Sequence, residues 1–350
     1  LLQESKAEYD YTFTTPKISF ICSLSAMNMN KLIRLGIFIC LSSLSLSAKN
    51  YFQQEVNYNI KVKLNDKSHT LHASETIEYI NHSEDTLRFI YFHLWPNAYQ
   101  KNSALDEQLI SNGDFKLHEA KENDKGFIDS LHFTTQGKEL SFTYDARHHD
   151  ICKVMLAEPL APGMRVTIET PFRVKIPNAK ISRLGHINQF YAITQWYPKP
   201  AVYDVEGWHA MPYLNQGEFY SEFGSFDVSI TLPENYVVGA TGDLQTESEI
   251  EFLNRKAADT ASVKKTDKNI NAFPASSEKL KTIRYTQSRV HDFGWFADKR
   301  YIVRKSEVTL PHSKAPVITY AMFTPLNQKS WRHATSYIND AVYYYSLWNG

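Results

Sequence analysis

Between Phe226 and Leu232, four apolar residues, Phe226, Val228, Ile230 and Leu232, alternate without exception with Asp227, Ser229 and Thr231. A side chain that changes face at every residue marks a strand with one buried face, because a helix would scatter those four positions around its circumference. Pro233 ends the run. The stretch that leads into it from Gln189 obeys no such period. Pro198, Pro200 and Pro212 remove backbone donors at intervals that no regular ladder tolerates, while five Tyr and Trp fall between Tyr191 and Trp208. An irregular segment so rich in rings is either a packed crossover or a binding surface.

The period of two recurs along most of the chain from Val56. Ile60, Val62 and Leu64 alternate with Lys61 and Lys63, and after the turn signal Asn65-Asp66 the residues Leu71, Ala73, Ile77 and Tyr79 alternate again, which predicts a hairpin. Thr86 to Trp95 is apolar on both faces, as in a central strand buried on each side, and Pro96-Asn97 terminates it. Further short runs follow at Phe127–Thr134, Glu139–Tyr144, Ile151–Leu156 and Met164–Val174. Strands at this spacing predict a mostly β protein built on a large saddle-like or sandwiched antiparallel β-domain. Between about 245 and 280 the composition turns polar. Glu247–Ala258 suits a short helix there, and Ala257–Ser277 reads as a solvated elaboration of a hairpin loop, since strand pattern resumes at Thr282. Near Gln328 the period changes from 2 to 3.6. Trp331, Ala334, Ile338, Ala341, Val342, Tyr345 and Trp348 recur at helical steps, which predicts that a second domain begins there with little to pack against.

The segment Gln195-Trp-Tyr-Pro-Lys-Pro-Ala-Val-Tyr-Asp, with Gly217-Glu-Phe-Tyr and the alternating strand after it, resembles the N-terminal β-domain of the aminopeptidase-N-like zinc metallopeptidases. Val290-His-Asp-Phe-Gly-Trp-Phe-Ala-Asp resembles the Asp-Phe-Ala-aromatic segment that follows about 90 residues later in that family. The resemblance covers roughly residues 56 to 350. It implies an N-terminal β-domain over 49–327 and, over 328–350, the first helix of an α-rich, thermolysin-like catalytic domain. It also implies a peptide substrate and a zinc ion held by His-Glu-x-x-His on one helix and a Glu on the next, the first Glu acting as general base. No His-Glu-x-x-His occurs in the sequence; the nearest approach, His118-Glu119-Ala120-Lys121-Glu122, has Glu where the second His belongs. The expectation is therefore a piece of a longer aminopeptidase, with its zinc ligands downstream of Gly350, and inactive by itself. One residue here is expected to touch substrate. In the family a Gln or Glu eight or nine residues before the aromatic-Pro pair binds the free α-amine, and Gln189 lies nine before Pro198. The alternative for Gln189 is a loop amide bonded to its own backbone.

Other residues with chemical potential read as structural. Adjacent positions on a strand face opposite ways, so His148-His149-Asp150 is expected to be a solvated turn rather than a metal cluster, and His82 and His93 are isolated on strand patterns. Thirty-eight basic and 38 acidic side chains cancel among the 350 residues, which gives no field for nucleic acid or an anionic membrane. From Met27 a secretory pattern begins: Lys31 and Arg34, the apolar core Leu35–Leu46, then Ser47-Ala48. That core is too short to span a bilayer comfortably, so residues 1–48 read as an upstream extension and a cleaved signal peptide, with an uncleaved anchor as the alternative. Export to the periplasm, the cell surface or the medium follows, with no stable membrane span. Of Cys22, Cys40 and Cys152, only Cys152 would remain, which allows no internal disulfide. Two other readings stay open: a non-catalytic exported β-protein that binds carbohydrate or a protein partner, and a pseudoenzyme.

Overall fold

The computed structural model describes residues 51–259, 272–313 and 316–349. The expected signal peptide lies outside these residues, as does much of the polar insertion. The chain is mostly β, with antiparallel sheets and a helix at its C-terminal end.

Strands β1 (Glu55–Asn65) and β2 (Thr70–Ile80) form the expected hairpin, in register from Glu55↔Ile80 to Asn65↔Thr70. Its turn is set by Asn65, whose Oδ1 accepts from the N–H groups of Lys67 at 3.1 Å and Ser68 at 3.2 Å, a short Asn doing what a backbone carbonyl does in a tight turn. Strand β3 (Leu87–His93) runs into a 3-10 turn at Trp95–Ala98 and then into helix α1 (Ala104–Ser111). Ser103 caps α1 by accepting from Asp106 N–H at 3.1 Å. Five antiparallel strands continue the domain: β4 (Phe127–Asp129), β5 (Thr134–Thr135), β6 (Lys138–Glu139), β7 (Phe142–Tyr144) and β8 (Ile151–Leu160). After β9 (Arg165–Lys175) comes the proline-interrupted region. It contains only short pieces, β10 (Gly185–Ile187), β11 (Phe190–Ile193), β12 (Lys199–Pro200), β13 (Val202–Asp204) and β14 (Gly207–His209).

The alternating run is β15 (Gly224–Pro233), with Phe226, Val228, Ile230 and Leu232 all buried. Beyond it lie β16 (Val237–Ala240), β17 (Asp243–Leu244), α2 (Glu247–Ala258), β18 (Leu280–Val290) and β19 (Trp295–Asp298). A last hairpin of β20 (Ile302–Thr309) and β21 (Pro316–Phe323) precedes α3 (Ala334–Asn349).

A nine-stranded sheet organises the molecule in the order β17-β18-β15-β1-β2-β9-β5-β6, with β4 also on β9. Its one parallel pair joins β15 to β1, Tyr58↔Phe226 through Lys63↔Thr231. Gly224 makes that approach possible: a Cβ built on it would stand 1.8 Å from the carbonyl oxygen of Val56. Two four-stranded sheets, β10-β11-β19-β16 and β12-β3-β8-β7, pack their apolar residues into the same core. Strand β3 is internal, as expected, but its second face is only half-buried. Phe89 and Tyr91 are covered there by the edge of Trp208, and Lys153 lies 3.7 Å over the Phe89 ring, so a charged side chain completes what an apolar layer was expected to do.

Glu75 on β2 departs from the alternation in a different way. It points into the core opposite Ile60, and neither carboxyl oxygen has a partner. Burial pushes this carboxyl well above the usual range, which favours the neutral acid there. The final helix docks on the β20–β21 hairpin through Ala334 and Ile338 against Ala321 and Phe323. Asn339 adds polar contacts, accepting from Thr319 Oγ1 at 2.6 Å and donating to Ser306 Oγ at 3.0 Å. Tyr337, Tyr345 and Trp348 on its other faces stay more than 60% exposed, and the ring contacts they make are with residues of the helix itself or of the turn before it.

Candidate functional site

The two motif segments meet. Lys199, held between two prolines, pairs with His93 on β3 and is completely enclosed. Its Nζ donates to the His291 carbonyl at 2.8 Å and Ser221 Oγ at 3.0 Å, and stands 3.2 Å from Asp292 Oδ1. Tyr197 Oη donates to the same carboxylate at 2.9 Å, and Trp196 Nε1 to the Phe293 carbonyl at 3.0 Å. A buried ion pair loses its hydration, and only this full set of hydrogen bonds offsets that cost. Burial moves the Lys199 ammonium down. Burial alone would raise the Asp292 carboxyl, but the adjacent ammonium and the Tyr197 hydroxyl carry it below its ordinary value, so it is ionised at neutral pH. With Trp196 and Tyr197 0 and 2% exposed, the aromatic segment is a packed crossover at this point, not an open platform.

Gln189 lies at the centre of a second polar cluster. Asn188, with φ of 50°, makes the tight turn between β10 and β11 and brings Gln189 over the β1–β2 loop. Gln189 Nε2 donates to Asp66 Oδ2 and Ser276 Oγ, both at 3.2 Å, and its Oε1 accepts from Lys299 Nζ at 2.5 Å. Asp66 also accepts from Tyr236 Oη at 2.9 Å and from Ser276 Oγ. Lys299 donates to Ser276 at 2.9 Å and lies over the Tyr236 ring. Tyr191 Oη bonds His69 Nδ1 at 2.8 Å, and His69 stacks on His186 with 3.7 Å between ring centres. Burial, then the neighbouring His186 and Lys175, lower His69 to about 4, which leaves the stack uncharged at neutral pH. One carboxylate, one ammonium and one amide are thus fixed within hydrogen-bonding reach of each other. Such an arrangement orients charge at no reorganisation cost.

Asp66, Ser276 and Lys299 carry no functional motif in the sequence. Asp66 appeared only as a turn residue, and Lys299 follows the second motif in the charged run Asp298-Lys299-Arg300, which was the one available signal. His118 pairs with Asp106 Oδ2 at 3.0 Å and so serves α1. His93 is buried and stacks on Trp95. Cys152 is buried as a free thiol, which burial pushes up to about 12. Among the described residues no group of three or more His, Cys, Asp or Glu could hold a metal ion, so these residues do not fit the zinc that the resemblance implies. No described helix is long and apolar enough to cross a membrane.

No family model and no curated protein matches the sequence. Among solved structures the chain is similar to an M1 zinc metallopeptidase from Deinococcus radiodurans, at 13% identity and a TM-score of 0.42, covering 80% of this chain and 49% of that one. It is similar also to a mutant M1 zinc metallopeptidase from the same organism bound to a Tyr-Ser-Ala substrate, at 13% identity and a TM-score of 0.42, covering 78% of this chain and 48% of the other. The chain spans about half the length of these structures.

Proposed function

We propose that these residues form the N-terminal β-domain of an exported zinc aminopeptidase, and that it frames the end of the cleft that receives the substrate's N-terminus. One observation carries the reading. The two segments on which the family resemblance rests, some 90 residues apart, are bonded to each other through Lys199, Tyr197, Trp196 and Asp292, and that they form one structural unit supports reading them together. Residues 328–350, with α3, would open the catalytic domain, and the zinc with its ligands would follow Gly350. The protein extended past Gly350 should carry one zinc per chain and hydrolyse aminoacyl reporters, begin between Ala48 and Tyr51 when recovered outside the cytosol, and do neither chemistry when reduced to these 350 residues. Tight one-to-one zinc in the short chain would sink the assignment.

Within this reading Gln189 binds the substrate's α-ammonium. Its Oε1 already accepts from Lys299, but an amide oxygen has two lone pairs, and Asp66 supplies the negative charge that a second cation needs nearby. Losing a charge-assisted bond of this kind costs ~1.5–3 kcal/mol. Gln189→Ala in the complete enzyme should therefore lower kcat/KM for free-amine peptides by roughly one to two orders of magnitude, and much less for N-blocked peptides. Equal losses for both classes would make Gln189 a scaffold residue that serves Asp66 and Lys299.

A further inference from the structure

The turn carrying His148, His149 and Asp150 closes one side of a cavity of about 530 Å³, within the range of small-molecule sites. The start of α1, Lys101 and the exposed Tyr144 also line it.

The exposed charges on this space are basic, and the one carboxylate that lines it, Asp150, is buried. Lys101, Arg147, His148 and His149 line it, and none of them makes an ion pair among the described residues. The acidic groups nearby are engaged elsewhere. Asp150 is buried and accepts from Tyr213 N–H at 2.6 Å; Asp145 Oδ1 accepts from the N–H groups of Arg147 and His148, each at 2.9 Å, which fixes the turn that carries those two side chains. Asp106 accepts from Asn102 N–H at 2.8 Å and pairs with His118. The first N–H groups of α1, before the one capped by Ser103, have no helical partner and add positive potential to the cavity. Lys101 and Arg147 are thus two cations on one cavity with no ion-pair partner among the described residues, beside two imidazoles.

We propose that this cavity is a binding site for a small organic anion, a carboxylate or phosphate ester, held by Lys101 and Arg147 with the histidines and the α1 N-terminus as further donors and Tyr144 as a flat wall. Arg147 offers the two-pronged donor that such groups accept. The site is independent of the peptidase reading, since none of its residues belongs to either motif or to the Gln189 cluster.

Calorimetric titration of the 350-residue chain at low salt with inorganic phosphate and, separately, with citrate tests it. Saturable one-to-one binding is expected for at least one of the two, and the better ligand identifies the group preferred. The double variant Lys101→Ala, Arg147→Ala should weaken that binding about tenfold or more, while Lys63→Ala, which removes an exposed charge on β1, leaves it unchanged. No saturable binding of either probe at about 10 mM overturns the proposal, as does an equal loss in Lys63→Ala, which would reduce the effect to unspecific ion attraction.

Discussion

Gly224→Ala should cost about 3 kcal/mol or more, a large share of the ~5–15 kcal/mol that holds a typical domain together. The added methyl would sit 1.8 Å from Val56 oxygen and 2.5 Å from Val56 carbon. Both are backbone atoms at the first rung of the parallel pair, so no side-chain rotation relieves the clash. To admit the methyl, β15 must move off β1, which gives up the Val56 N–H bond to the Phe223 carbonyl at 3.1 Å and disturbs the stack of Phe226 on Tyr58. Urea unfolding followed by tryptophan fluorescence should show a far lower midpoint than wild type. Gly294→Ala is the control: its new Cβ would meet nothing closer than 3.5 Å, and its midpoint should stay near that of wild type. A Gly224→Ala protein as stable as wild type would contradict the parallel register.

The second large effect depends on pH. Burial first, and the Lys199 ammonium next, lower His93 from 6.5 to about 3, whereas the unfolded chain leaves it near 6.5. A depressed folded value stabilises fully above pH 6.5, and the contribution is lost as pH falls towards 3, because only the unfolded chain takes up the proton in that window. At ~1.4 kcal/mol per unit, the loss between pH 6.5 and 4.5 is about 2–3 kcal/mol. His69 acts in the same direction. Glu75, Glu222 (raised to about 7) and Asp150 (raised to about 6) act in the other, since burial makes the folded protein hold their protons more tightly. The wild-type curve is therefore flattened by opposing groups, and the informative quantity is a difference. His93→Gln removes the titration, so its stability penalty at pH 7 should shrink by about 2–3 kcal/mol at pH 4.5. A penalty that stays constant with pH would show that His93 is already charged in the folded state.

What could be read from the residues in advance follows from what is periodic. The β1–β2 hairpin, β15 and the helix Ala334–Asn349 are legible because an apolar face repeats at a fixed step, and the turn at Asn65 announces itself through a side chain that replaces a backbone acceptor. Helix α1 did not stand out. Eight residues are too few to establish a period, and only Ser103 with Asp106 three positions later marked its start. The parallel neighbour of β15 was equally hidden, because alternation says which side of a strand is buried and nothing about which strand lies beside it. The same limit applies to the polar clusters. Gln189 could be singled out by its distance from Pro198, but Asp66 and Lys299 become its partners only through the turn at Asn188, and Lys199 gives no sign in the sequence that its counter-ion is Asp292.

The placement of β15 between β1 and β18 also sets the order in which the chain can mature. Asn57 and Ser225, which bond each other across the parallel pair, are 168 residues apart. The β1–β2 hairpin closes over a loop of a few residues, so it can form as soon as it leaves the ribosome, with the outer edge of β1 bare. At about 5–20 residues per second, that edge waits roughly 8–34 s for its partner to be synthesised. An unpaired strand edge that carries Tyr58, Ile60 and Val62 is a template for wrong pairing with other chains. Lys61 and Lys63, which alternate with those apolar residues and remain exposed in the finished fold, give the nascent edge a charge that repels its own copies during the wait.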